Sequence, residues 1–138
     1  MKVLLDTCIV IDFLQNREPF AKNAHALFQA IAVEECSGFI SAKAVTDIYY
    51  IIHHITHSDE GSRLKLRQLL SIVEILDTKA QDIIAALDAR GSDYEDDVMI
   101  ETAISAHMDC IITRNIKDFS YASLPVYDPE QFLSLLKK

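Results

Sequence analysis

Five short apolar runs alternate with segments of helical pattern, and this alternation constrains the fold more than any other feature of the sequence. The runs are "KVLLD" (2–6), "GFIS" (38–41), "VEIL" (73–76), "CIIT" (110–113) and "LPVYD" (124–128). The intervening pattern predicts helices over 8–15, 20–35, 42–57, 59–72, 79–90, 94–108 and from Pro129 onward. Strands that alternate with helices predict an α/β fold, with a parallel sheet covered by helices on both faces.

Composition limits the class of protein. The 138 residues are 50% hydrophobic, which fits a single domain over 1–138 with a sizeable core. The first apolar run is too short for a signal peptide or a membrane span, so we expect a cytoplasmic protein without membrane contact. The cysteines Cys8, Cys36 and Cys110 are odd in number and have no CxxC spacing, which favours reduced thiols.

Acidic side chains gather where the predicted strands end or the following helices begin. They are Asp6, Asp47, Asp96 and Asp118, with Arg114 and Asn115 beside the last. In a parallel sheet these places share one edge, where ligands bind. Two carboxylates about 4 Å apart repel by roughly 4 kcal/mol at an effective dielectric of 20. A divalent cation relieves this repulsion, and a ligand set of oxygens alone favours Mg²⁺ or Mn²⁺ over zinc. The net charge of −8 is compatible with such a site and disfavours non-specific nucleic-acid binding.

The segment "SDYEDDVM" (92–99) holds more acids than a helix start requires. We expect Ser92 to cap the helix and the neighbouring acids to interact with its dipole. Asp96 falls on the stripe of Ile100 and Ala103, which predicts an inward carboxylate. Asp97 falls on the stripe of Glu101 and is expected to face solvent.

Five motifs occur in a fixed order along the chain. They are "LLDTCIVIDFL", "SAKAVTDIYYII", "DYEDDVMIETA", "DCIITRNIKDF" and "LPVYDPEQFL". Together they resemble PIN-domain proteins of the kind found as VapC-type toxins in toxin–antitoxin pairs, and the resemblance covers essentially the whole chain. It implies a three-layer α/β/α sandwich with a five-stranded parallel sheet. The implied activity is that of a Mg²⁺- or Mn²⁺-dependent endoribonuclease that cleaves single-stranded RNA.

The resemblance also implies roles for individual residues. Asp6 and Asp96 are the implied metal ligands, and Asp47 and Asp118 complete the catalytic acids. The implied substrate-binding residues are Thr7, Arg114 and Asn115, of which Thr7 would orient Asp6 or contact a phosphate. Asp47 stands where many relatives have Glu, which leaves open whether it binds metal directly. Asn115 stands where many have an acid, which leaves open whether Asp118 or Asn115 supplies the fourth group.

Two classes of function remain. The first is a nuclease held silent by a cognate antitoxin, in a protein that relatives suggest is a homodimer. The second is a catalytically weak PIN-fold module that binds RNA or a partner. The retention of all four acids favours the nuclease, because a binding module has no need for uncompensated buried carboxylates.

Two other motifs have simpler interpretations. His53 and His57 are spaced i, i+4 but lack an intervening glutamate, so we interpret them as a surface or core pair rather than a zinc site. "RLKLRQLL" predicts a solvated basic face over a buried leucine stripe, although its cations could also meet RNA. The leucines expected to be buried are Leu64, Leu66, Leu69 and Leu70.

Overall fold

Strand β1 (Lys2–Leu5) lies at the centre of the sheet in the computed structural model, which describes residues 1–89, 91 and 93–138. The other strands are β2 (Ser37–Ser41), β3 (Glu74–Leu76), β4 (Cys110–Ile112) and β5 (Val126–Tyr127). Over these described residues the sheet has five strands in the order β3-β2-β1-β4-β5, and every pairing is parallel. The prediction of a parallel sheet is confirmed.

Helices fill the intervals between the strands. They are α1 (Thr7–Leu14), α2 (Ala21–Ala32), α3 (Ala42–Thr56), α4 (Asp59–Leu70), α5 (Ala80–Ala86), α6 (Tyr94–Ser105) and α7 (Pro129–Leu136). Among the described residues, none of these helices is long and apolar enough to cross a bilayer. A short 3₁₀ turn (Ile116–Phe119) was not predicted, because four residues carry no readable periodicity.

Several predicted helices end early, among them α4 at Leu70 instead of 72 and α6 at Ser105 instead of 108. Helix α2 stops at Ala32 instead of 35, and Glu34 adopts a left-handed backbone with φ 63° that cannot continue a helix. Helix α5 stops at Ala86, while its predicted end at position 90 lies outside the described residues. None of these changes affects the order of the elements, so the fold class stands.

The side chains of β1 alternate between two apolar clusters. Val3 and Leu5 pack with residues of α1, α2, α3, α4 and α7, whereas Leu4 packs with residues of α6 and the 3₁₀ turn. All three side chains are fully buried. A central strand buried on both faces is typical of a parallel sheet between two helical layers. The predicted three-layer α/β/α sandwich is therefore present.

The order of the strands reverses beside β1. The chain moves from β1 to β2 on one side, and later returns to place β4 on the other. The backbone amide of Asp6 donates to the carbonyl of Ile112 at 2.9 Å, which continues the pairing of β1 and β4 beyond the strand itself. In open α/β sheets such a reversal opens a crevice at the carboxyl ends of the strands. Asp6 lies at this crevice.

Helix α4 differs from its predicted burial. Leu69 is fully buried, but Leu64 is 55% exposed and Leu70 is 38% exposed. The helix packs chiefly against α3 at the periphery, so only a narrow stripe around Leu66 and Leu69 reaches the core. The prediction that all four leucines are buried is wrong for Leu64 and Leu70.

These two environments lead to a stability prediction. Leu69→Ala should lower the free energy of unfolding by about 2–5 kcal/mol, because it leaves a cavity in the core. Leu64→Ala on the same helix should change it by no more than about 0.5 kcal/mol. Urea unfolding followed by circular dichroism measures both. Equal losses in the two variants would contradict this packing.

Candidate active site

Asp6 lies where β1 gives way to α1, and its carboxylate is held from several directions. It caps α1, with Oδ1 accepting a 2.7 Å hydrogen bond from the backbone amide of Thr7. Oδ2 accepts from the hydroxyl of Thr113 at 2.7 Å and from the thiol of Cys8 at 3.5 Å. The residue is only 8% exposed. Its orientation is therefore set by the fold before any ligand binds.

Thr113 is a site residue that the sequence reasoning missed. It follows β4 directly, is fully buried, and also accepts a hydrogen bond from the amide of Asn115 at 3.0 Å. The signal available in the sequence was a hydroxyl at the end of the apolar run "CIIT". That signal has no meaning until β4 is known to lie beside β1.

Asp96 lies in the first turn of α6, half-buried at the same edge of the sheet. Burial of the carboxyl raises its pKa from 3.8 to about 7, and the negative charges of Asp6, Asp93, Asp118 and Glu95 add to this effect. Of these four charges, that of Asp6 raises the pKa of Asp96 the most. Asp96 therefore lies in a field that favours either a proton or a cation.

The start of α6 requires a correction. Asp93 caps this helix, and its carboxylate accepts from the amide of Asp96 at 3.2 Å. The predicted cap, Ser92, lies outside the described residues. Asp97 was expected to face solvent, yet it is only 5% exposed. A Cβ on Gly91 would lie 1.8 Å from its carboxylate oxygen, so the chain leading into α6 covers Asp97.

A cavity of about 390 Å³ lies in front of these carboxylates. Of the residues predicted from the sequence, it brings together Asp6, Thr7, Asp47 and Asp96. Lys43 and Glu95 also line the cavity, and neither was predicted from the sequence as a site residue.

Lys43 bridges two walls of this cavity. Its Nζ lies 2.7 Å from Oδ2 of Asp47 on α3 and 3.3 Å from Oε2 of Glu95 on α6. Burial alone would lower the pKa of Lys43, but hydrogen bonds and charges from the two acids outweigh it and raise the pKa. All three side chains are more than a third exposed. Exposed pairs of this kind contribute only about 0.2–1 kcal/mol each.

The loop after β4 holds the remaining predicted residues in different surroundings. Arg114 points to α1, where its Nε lies 2.6 Å from Oδ2 of Asp12, and its guanidinium stacks 3.8 Å from the ring centre of Phe20. Asn115 is exposed, and Asp118 lies half-buried in the 3₁₀ turn. The charge of Asp118 reaches Asp96, although Asp118 does not line the cavity.

In the ion pair of Asp12 and Arg114, the acid is buried and the arginine is partly exposed. Asp12 is fully buried, and Nη2 of Arg114 makes a second contact with it at 3.3 Å. Removing one partner of a buried ion pair costs about 3–5 kcal/mol, because the other charge is left uncompensated. Contact of Arg114 with a substrate phosphate stays a prediction.

The donor set fits a hydrated divalent cation better than a protein cage. Within residues 1–89, 91 and 93–138, no three His, Cys, Asp or Glu side chains gather as a ready-made metal site. Mg²⁺ needs fewer protein ligands, since it usually keeps several waters and binds through one or two carboxylates. Burial, and after it the negative charge of Asp6, raises the pKa of Asp96, and a cation bound beside the two carboxylates would offset that charge. Asp6 and Asp96 are the residues that fit this role.

The sequence profile of the PIN domain family matches residues 2–117. No curated protein matches the sequence.

Solved structures share the fold. VapBC-1 from nontypeable Haemophilus influenzae is 18% identical with a TM-score of 0.70, covering 94% of this chain and 99% of that one. A toxin–antitoxin complex from Klebsiella pneumoniae is 26% identical with a TM-score of 0.64, covering 92% and 97%. VapC20 from Mycobacterium tuberculosis, a Sarcin-Ricin loop cleaving toxin, is 12% identical with a TM-score of 0.67, covering 88% and 95%.

The resemblance noted in the sequence motifs is thus confirmed at the level of family and fold. The profile match runs from β1 into the 3₁₀ turn; it includes Asp6, Asp47 and Asp96 and ends one residue before Asp118. The chain belongs to the PIN domain family, and its fold is that of the VapC-like proteins.

Proposed function

We propose that residues 1–138 form one nuclease domain, a Mg²⁺- or Mn²⁺-dependent endoribonuclease that cleaves single-stranded RNA in the cytoplasm. The observation that carries the proposal is the pair of Asp6 and Asp96, which meet at the strand reversal and face one cavity. Membership of the PIN domain family supports it. A structural relative described as a Sarcin-Ricin loop cleaving toxin supports RNA as the substrate.

The side chains divide the work by position. Asp6, oriented by Thr113 and Thr7, and Asp96 would hold the cation. When bound, such a cation neutralises charge on the phosphodiester and activates water for in-line attack. Asp47 and Asp118 keep the surroundings negative, which favours cation retention. Asn115, which is exposed two residues after Thr113, would contact the RNA strand.

Metal binding is the first consequence to test. Mn²⁺ should bind the wild-type protein in calorimetry, and Asp6→Asn combined with Asp96→Asn should abolish that binding. Because the pKa of Asp96 is about 7 without metal, protons compete below that pH, so affinity should be weaker at acidic than at alkaline pH. Equal affinity in wild type and the double variant would contradict the assignment.

Cleavage of a defined RNA in Mg²⁺ or Mn²⁺ is the second consequence. Asp6→Asn and Asp96→Asn should each lower the rate by at least about a hundredfold, as loss of a principal electrostatic stabiliser does. The same scale of loss is predicted for Asp47→Asn and Asp118→Asn. Attack by water rather than the ribose 2′-hydroxyl should leave 5′-phosphate and 3′-hydroxyl ends.

Asp88→Asn is the matched control for this assay, because Asp88 is exposed and does not line the cavity. It should cleave at the wild-type rate. Undiminished cleavage in chelator would refute metal dependence. RNA binding without cleavage by the wild type would instead support the alternative, a catalytically weak binding module.

We also propose a cognate antitoxin as partner and a homodimer as the assembled form. Two of the relatives are described as a toxin–antitoxin complex and as VapBC-1. Beside the acidic cavity, α3 exposes Tyr50 at 69% and Ile55 at 52%, with Ile51 between them. An antitoxin segment with apolar side chains and one cation would match both these exposed side chains of α3 and the acids of the cavity.

Co-expression with the neighbouring small open reading frame tests this partner. The complex should co-purify with a higher thermal midpoint than the chain alone, because a ligand that binds only the folded state stabilises it. Ile55→Asp should weaken the complex, whereas Ile84→Asp on exposed α5 should not. A neighbour that neither co-purifies nor suppresses toxicity would count against the proposal.

A further inference from the structure

The acidic cavity has a charge problem that the proposed metal alone does not solve. Asp6, Asp47, Glu95 and Asp96 line it, and an RNA strand that enters brings further negative charge. Among the described residues that line the cavity, Lys43 is the only Lys or Arg. A phosphate that docks here therefore has one protein cation available to it.

The two basic side chains near the site differ in how firmly they are held. Arg114 is committed to the fully buried Asp12 by two contacts, at 2.6 Å and 3.3 Å, and it lines a different cavity. Lys43 is bound only to exposed acids, since the side chain of Glu95 is 74% exposed and that of Asp47 is 42% exposed. A phosphate can compete for Lys43 at much lower cost than for Arg114.

We infer that Lys43 contacts a backbone phosphate of the bound RNA and exchanges its ion pair with Glu95 for that contact. The inference rests on the proposed function and adds a substrate-binding residue to it. In the free protein the ammonium group of Lys43 contacts Asp47 on its own helix and Glu95 on α6, and so connects the two helices beside the cavity. In the complex its ammonium group faces the strand, and Glu95 returns to solvent.

Salt dependence of RNA binding tests this directly. Fluorescence anisotropy of a short labelled single-stranded RNA of mixed sequence, in Ca²⁺, gives the affinity at several salt concentrations. Loss of one phosphate contact should reduce the slope of log affinity against log salt by about 0.7. Lys43→Met should show this reduction and bind several-fold more weakly at low salt.

Two variants control for charge alone. Lys22→Met removes the same charge from an exposed position on α2 and should leave the slope unchanged. Lys43→Arg keeps a cation at the cavity and should retain the wild-type slope. In cleavage assays with Mg²⁺, Lys43→Met should raise KM more than it lowers kcat, because it removes a binding contact.

A double-mutant cycle tests the exchange with Glu95. Glu95→Gln should strengthen RNA binding more in the wild-type background than in Lys43→Met, because it releases Lys43. Cleavage by the wild type together with equal slopes in Lys43→Met and wild type would overturn the inference alone. An RNA that the wild type neither binds nor cleaves would overturn the proposed function, and this inference with it.

Discussion

The hydrogen bond from Thr113 to Asp6 joins the ends of β4 and β1, the two strands between which the order of the sheet reverses. It is buried, 2.7 Å long, and made to a carboxylate, so it belongs to the stronger class of protein hydrogen bonds. Because the amide of Asp6 also donates to Ile112, both the backbone and the side chain of Asp6 are fixed by β4. The position of the cavity follows from this junction, since the other acids are arranged around Asp6.

Two ion pairs near that junction have opposite character. Asp12 and Arg114 connect α1, which Asp6 caps, to the loop that begins at Thr113, and the acid of this pair is fully buried. Lys43 and Glu95 both line the cavity, connect α3 with α6 and are exposed. Burial makes the first pair expensive to break and suits it to holding the frame of the site. Exposure makes the second pair exchangeable and suits it to meeting a ligand.

The strands were predictable because each lies in a short apolar run, and for the central strands β1 and β4 burial on both faces of the parallel sheet leaves that pattern in the sequence. Helix caps were harder to predict than strands. Helix α6 is capped by Asp93, and the predicted cap, Ser92, lies outside the described residues. The burial of Asp97 was missed because a stripe of few apolar residues cannot reveal a second covering segment, here the chain at Gly91. The exposure of Leu64 was not predicted, because the apolar pattern of α4 does not show that the helix is covered on one side only.

The roles expected for Asp6 and Asp96 came from the resemblance of the motifs to PIN-domain proteins, whereas the sequence by itself determined the fold class and the edge of the sheet that holds the acids. Those features depend on local pattern and on the rule that parallel strands share one carboxyl edge. Only the tertiary structure decided which side chains meet there. Thr113 and Lys43 lie in the site, and Arg114 pairs with Asp12. Each of these contacts joins residues that are far apart along the chain. No local pattern records the distance between two strands or helices before the sheet has formed.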